Sequence, residues 1–319
     1  MEQKIALGQS KLMVPRLGLG VMTWGDPKGF ARFHPAKIAY GGAEGAAEEK
    51  RAFDASLSAG VNLFDTAAMY SGGASELRLG ELARDHDILI ATKFPGGFSF
   101  KAEQLPKELK ASLARLGRDF LDLYQHHFPA DGISIPGLMD QLADFVESGK
   151  VRAVGVSNYS AEQMREAHSI LSKRGVALAS NQVQYSLVYR KPEVDGVLDA
   201  CRELGITLIA YSPLGMGALT GKYSVTKRAG GLRRFMPNFG RKAMNAVQPV
   251  VELLRQIGER YSKTSSQVAL RWLIENPIVL PIPGAKNGSQ ALENAGALSF
   301  SLTSEEVDMI DQATTAWRV

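Results

Sequence analysis

Short apolar runs rich in β-branched residues alternate along the chain with longer stretches whose apolar positions recur every three or four residues. The runs VNLFDTA (61–67), ILIATKF (88–94), FLDLYQHH (120–127), VRAVGVS (151–157), LASNQVQY (178–185), GITLIAYS (205–212) and NPIVLPIP (276–283) read as strands buried on both faces. RLGLG (16–20) makes eight. Between the strands, Leu105, Leu109, Leu113 and Leu116 form one apolar helical stripe. Gly60, Gly149 and Gly205 precede strands, where helices close in left-handed geometry. Eight such units predict a (β/α)8 TIM barrel, with residues 1–319 as a single domain. The stretch IALGQSKLMV (5–14) predicts a β-hairpin, turning at GQS and plugging the N-terminal end of the barrel. Segments 25–46 and 215–244 break the rhythm. Long loops that follow strands belong at the C-terminal face, so both are candidate lids or cofactor clamps.

Composition narrows the class. A chain of 319 residues, 45% hydrophobic and 22% charged, can bury a large core as a soluble enzyme. The single cysteine, Cys201, excludes an internal disulfide framework, and no C-x-x-C or H-E-x-x-H spacing points to a metal. No secretory or transit signal and no membrane-spanning run is present, so a reducing, cytoplasmic setting is expected. The net charge of +4 comes from scattered basic residues, with one concentration at Lys227, Arg228, Arg233 and Arg234. That distribution favours small anionic ligands over nucleic acid.

The candidate chemistry lies at the ends of three successive strands. Asp65 and Tyr70 lie in VNLFDTAAMY (61–70), Lys93 near the end of ILIATKF (88–94), and His127 at the end of FLDLYQHH (120–127). A carbonyl that accepts a hydride must also receive a proton on its oxygen. A free tyrosine, with a pKa of about 10, is a poor acid at neutral pH, but a nearby ammonium favours phenolate and lowers that value. Lys93 would serve Tyr70 in this way. Asp65 would keep Lys93 charged and placed, and His127 would hydrogen-bond and orient the carbonyl oxygen.

Around these strand ends the chain resembles the aldo-keto reductase superfamily, from about Leu17 to Asn294. The motifs are GLG (18–20), FDTAAMY (64–70), TKF (92–94), DLYQHHFP (122–129), GVSNY (155–159), NQVQYS (181–186), AYSPLGMGALTGKY (210–223) and PIPGAKNGSQALEN (281–294). The resemblance implies a catalytic tetrad of Asp65, Tyr70, Lys93 and His127. Of the two adjacent histidines it selects His127, five residues after Asp122, while His126 would point to the other face.

The resemblance also implies a nicotinamide cofactor, NADPH with NADH as an option. GMGALTG (215–221) lacks the G-x-G-x-x-G spacing, so the cofactor would lie extended across strand ends and loops. Ser157, Asn158 and Gln182 would meet the carboxamide, Tyr211 would stack on the ring, and Gly20 and Met22 would also touch the cofactor. Ser212, Leu214 and Gly215 would hold pyrophosphate. Gly284, Ala285, Lys286, Gln290, Glu293 and Asn294 would cover the adenosine half. Lys286 stands where some family variants carry arginine, and offers a point charge to a 2′-phosphate without a bidentate fork.

A small-molecule carbonyl is the expected partner, framed by Trp24, Tyr70 and His127, with Phe30, Phe33 and Tyr40 of the first long loop as aromatic walls. The overall pattern is closer to the bacterial and plant branch; pyridoxal, small aldehydes and sugar-derived carbonyls are all candidates. Two rival readings are a Schiff-base aldolase with Lys93 as nucleophile and a nucleotide-binding regulatory subunit with little turnover.

Overall fold

The computed structural model describes residues 4–26, 45–95, 101–129, 134–227, 229–230, 235 and 239–319. The chain opens with an antiparallel hairpin, β1 (Lys4–Ala6) and β2 (Met13–Pro15), in which Ile5 faces Val14. The Leu7 amide donates to the Leu12 carbonyl at 2.8 Å, and the Ser10 hydroxyl donates to the Leu7 carbonyl at 2.6 Å, which fixes the expected turn.

Eight parallel strands follow in sequence order: β3 (Leu19–Gly20), β4 (Leu63–Asp65), β5 (Leu89–Phe94), β6 (Leu121–His126), β7 (Val151–Ser157), β8 (Leu178–Gln184), β9 (Thr207–Tyr211) and β10 (Val279–Pro281). The two edges meet where the Gly18 amide donates to the Pro281 carbonyl and the Gly20 amide to the Pro283 carbonyl, each at 3.0 Å. The sheet is a (β/α)8 barrel. Helices α1 (Ala46–Ser58), α2 (Ala74–Ala83), α3 (Leu105–Leu116), α4 (Ile135–Glu147), α5 (Ala161–Lys173) and α6 (Val197–Leu204) separate its strands up to β9. Helices α7 (Arg241–Tyr261) and α8 (Ser265–Glu275) precede β10; α9 (Gly288–Ala295) and α10 (Ser304–Ala313) follow it. The last begins at Thr303, whose hydroxyl accepts from the Glu306 amide in a capping box. None of the described helices is long and apolar enough to cross a membrane.

The closing strands are shorter than their apolar runs. β3 keeps two residues of 16–20 and β10 three of 276–283. Pro277, Pro281 and Pro283 have no amide to give a ladder. Arg16 instead spends its guanidinium on main-chain carbonyls, Pro277 at 2.7 Å and Asn276 at 3.2 Å, binding the two edges through a side chain.

Period-two alternation divides each strand between two environments. Phe64, Ile90, Tyr124, Val154 and Leu208 point outward into the layer beneath the helices. Leu63, Ala91, Leu123, Ala153, Ala179, Ile209 and Leu280 point inward and pack on Leu7, Leu12 and Val14 of the hairpin. Burying each of these three side chains contributes about 1.5–3 kcal/mol, and the Gly8 amide, donating to Thr207 Oγ1 at 2.7 Å, fastens the plug to β9. The barrel is therefore sealed and apolar at its N-terminal end. Two residues further along β4, β5 and β6, the same inward face carries Asp65, Lys93 and Gln125.

Candidate active site

Each member of the expected tetrad is placed by the end of its strand. Asp65 is the last residue of β4 and Lys93 the penultimate residue of β5. His127 lies one residue past β6, its amide donating to the Phe94 carbonyl at 3.2 Å. Tyr70 opens a short 3-10 turn, Tyr70–Gly73, in which Ser71, Gly72 and Gly73 have φ of 53°, 64° and 89°. This left-handed run reverses the chain and turns Tyr70 toward the barrel mouth. A residue beyond it, Glu76, is fully buried, accepting from Thr92 Oγ1 and from Arg115 Nε, both at 2.6 Å. The Tyr70 turn is thus tied to α3 and to the strand residue beside Lys93.

Lys93 is the hub. Its Nζ donates to Asp65 Oδ1 at 2.6 Å and to the Thr66 carbonyl at 2.8 Å, and lies 3.5 Å from the Tyr70 hydroxyl oxygen. Complete burial works against the ammonium, but the charges of Asp65 and Tyr70 and the hydrogen bonds to both outweigh it, and the lysine pKa rises above its ordinary value. Asp65 Oδ2 accepts from Gln182 Nε2 at 2.9 Å and Gln125 Nε2 at 3.4 Å. Asp65 is left with no unpartnered oxygen.

His127 meets Tyr70 edge-on, with ring centroids 5.6 Å apart at 80°. Burial, then the Lys93 ammonium, then His126, push its pKa down to about 2, so the imidazole is neutral at any physiological pH. Its Nδ1 is buried without a hydrogen-bond partner among the described residues. His126 faces the other way. It stacks on Phe94 at 5.0 Å, its Nδ1 lies 2.8 Å from the Tyr159 hydroxyl, and burial lowers its pKa to about 4.

A cavity of about 540 Å³ opens over these groups, lined by Asp65, Tyr70 and His127, with Lys93 buried beneath. Ser157, Asn158, Gln182 and Tyr211 form its neighbouring wall. Asn158 takes φ of 61°, donates to the His127 carbonyl at 3.1 Å and to Ser157 Oγ at 3.0 Å, and accepts from the Tyr211 hydroxyl at 3.1 Å. Gly20, Met22, Ser212 and Leu214 also line the cavity. So do Gly284, Ala285, Lys286, Gln290, Glu293 and Asn294, at its far end.

Two expected residues are not brought to it. Trp24 is fully buried against Phe64, and its indole N–H donates to the Ala285 carbonyl at 2.9 Å, so it supports the wall from behind and frames no mouth. Gly215 is buried as well, with φ of 57°, and packs toward Val188. Phe30, Phe33, Tyr40, Arg228, Arg233 and Arg234 lie outside the described residues. Conversely, Lys222, Tyr223 and Ser266 line the cavity without having been singled out, and neither had Gln125. The signal for Gln125 was present: it is a polar interruption in an apolar strand, two residues before His127 and hence on the same face.

The profile of the Aldo/keto reductase family matches residues 16–315, nearly the whole barrel. The chain belongs to the aldo/keto reductase family. This reductase is 35% identical to the chloroplastic pyridoxal reductase of Arabidopsis thaliana, over 98% of its own length and 86% of the plant protein. Its fold superposes on the glycerol dehydrogenase of Gluconobacter oxydans with a TM-score of 0.83 at 27% identity, covering 99% of this chain and 96% of that one. An aldo-keto reductase from Klebsiella pneumoniae, solved in complex with NADPH, matches with a TM-score of 0.74 at 26% identity, covering 98% and 95%. The reductase is accordingly an oxidoreductase, and its barrel is the one the strand pattern implied.

Proposed function

We propose that this reductase converts an aldehyde or ketone to the alcohol with NADPH, using Tyr70 as general acid and running in reverse with the same groups. The observation that carries the proposal is the fully buried Lys93, bound to Asp65 at 2.6 Å and 3.5 Å from the Tyr70 oxygen on the cavity floor. An ammonium in a site of low dielectric favours the phenolate that remains after proton donation far more than it would in water. Asp65 holds that ammonium in place. His127, neutral and edge-on to Tyr70, donates one hydrogen bond to the carbonyl oxygen and orients it without competing as the acid.

The residues along the cavity fit a nicotinamide nucleotide. Mixed amide and hydroxyl groups at Ser157, Asn158 and Gln182 suit a carboxamide, and the Tyr211 ring, anchored through its hydroxyl, offers a flat face for stacking. One N–H of the Gln182 amide is engaged with Asp65, and its oxygen can accept. Lys286 supplies a positive charge at the far end, which favours NADPH over NADH, the cofactor form found in the Klebsiella relative. When bound, the reduced nicotinamide supplies the hydride to the carbonyl carbon.

Lys93 has no nucleophilic role in this reading. A Schiff base needs a neutral, accessible amine, and Lys93 is an inaccessible ammonium with its donors committed. Substrates to try first are pyridoxal, as in the name of the plant relative, small aldehydes and sugar-derived carbonyls. The test is NADPH oxidation against that panel, with Tyr70→Phe beside the unaltered protein. The variant is expected to bind NADPH normally and to lose about 10²–10⁴-fold in kcat. Unchanged turnover would remove Tyr70 from the mechanism, and NADPH binding with no carbonyl reduced by the unaltered protein would favour a regulatory nucleotide sensor.

A further inference from the structure

We infer that Gln125 is a positioning residue, the middle member of a buried polar chain, Ser180 to Gln125 to Asp65, that fixes the carboxylate holding Lys93. The inference rests on the proposed role of the tetrad and goes beneath it. Gln125 occupies an inward position of β6 directly after Leu123, where the barrel interior changes from apolar to polar. It is fully buried. An amide in such a place costs several kcal/mol unless partnered. Its nitrogen points to Asp65 Oδ2 at 3.4 Å, and its oxygen faces the Ser180 hydroxyl at 3.5 Å. With Gln182 at 2.9 Å, it gives Oδ2 a second donor, so that both carboxylate oxygens of Asp65 are held by side chains of the barrel wall.

The neighbouring strand makes room for this chain. A Cβ on Gly155 would stand 2.3 Å from Ser180 Oγ and 3.1 Å from Gln125 Cγ, so β7 carries glycine at the one inward position where the chain crosses. The contacts to Gln125 are long, and its effect is therefore one of dipole and orientation. The positive end of the amide faces the tetrad, which lowers the cost of negative charge on the Tyr70 oxygen.

The test uses Gln125→Leu, of similar size and without the dipole, with Ser180→Ala as a milder variant that keeps the fold if the first does not. Tyr70 titration is read without cofactor or turnover, as the ultraviolet tyrosinate difference between each protein and its own Tyr70→Phe counterpart. Gln125→Leu is expected to move the Tyr70 midpoint to higher pH and to lower kcat about three- to tenfold, with NADPH affinity within about twofold. Ser180→Ala is expected to shift it less in the same direction, and the double variant no further than Gln125→Leu alone, as for residues acting in series. An unmoved midpoint in folded Gln125→Leu, or in Ser180→Ala if only that variant folds, overturns the inference, as does full additivity. A shifted midpoint in a protein that reduces no carbonyl would leave the inference standing and sink the proposed function instead.

Discussion

At one end of the cavity Lys93, Asp65 and His127 are 0, 3 and 5% exposed, and the side-chain partners of Asp65 come from other strands of the barrel. At the other end Lys286, Gln290 and Glu293 are half-buried on a loop and on helix α9. On the proposed function the two ends face different physical demands. Where a proton must move, charges have to be held at fixed distances and out of water, because screening would erase the effect of an ammonium on a phenol. Where a phosphate-bearing ligand need only be recognised, solvent-facing groups contribute a little each and tolerate change. The first end should thus fail abruptly on substitution and the second gradually.

Lys93→Met should produce the largest break. Asp65 would be left as a buried carboxylate without its cation, which costs about 3–5 kcal/mol of stability, and kcat should fall about 10²–10⁴-fold. Urea unfolding and steady-state kinetics read both, and a kcat within tenfold of the parent would erase the contrast between the two ends. His127→Asn should reduce kcat about 10²–10³-fold with little change in the KM for NADPH. Since the His127 pKa is about 2, no limb from this group should appear in the reduction profile between roughly pH 5 and 8.

The outer face of the same strand, which packs under the helices, carries a pH-sensitive group of its own. The folded His126 pKa, about 4, lies below its unfolded value of about 6.5. The unfolded chain therefore binds the proton more readily, and stability is lost as pH falls from about 6.5 toward 4. At pH 5 the loss from His126 is about 2 kcal/mol. His126→Leu should shrink the difference in urea midpoint between pH 7 and pH 5, whatever its cost at pH 7 through the Tyr159 hydroxyl; an unchanged difference would place the acid sensitivity elsewhere. The smallest effect is expected at the far end, where Lys286→Ala should raise the KM for NADPH about tenfold, equivalent to about 1.4 kcal/mol, leave the KM for NADH nearly unchanged and spare kcat. Equal changes for both nucleotides would remove Lys286 from phosphate recognition.

Much of the fold was legible because burial on both faces writes itself into composition. Each barrel strand sits within an apolar run, and the glycines at 60, 149 and 205 adopt the left-handed φ expected of helix ends. The strand boundaries at the closing edges were not legible, because they depend on partners some 260 residues away, such as Arg16 reaching Pro277. The cavity wall shows the same division. Lys286, Gln290 and Asn294 sit in one short motif and line the far end together, whereas Trp24, adjacent in sequence to cavity residues, turns inward to the Ala285 carbonyl. Ser266 reaches the cavity from a helix start with no distinguishing pattern, and Lys222 from the end of a motif whose other residues had drawn the assignments.

The order of residues by itself determined the eight strands, the plug and the position of a carboxylate, a phenol, an amine and an imidazole at strand ends, because alternation and turn chemistry are local properties. Only the tertiary structure decided what those groups are to one another. It set Lys93 between Asp65 and Tyr70, divided His127 from His126 across the sheet, and placed Gln125 and Gln182 against the same carboxylate. The physical reason is that burial of these groups and the 2.9 Å contact between Gln182 and Asp65 arise from closing the barrel, which brings together residues more than a hundred positions apart.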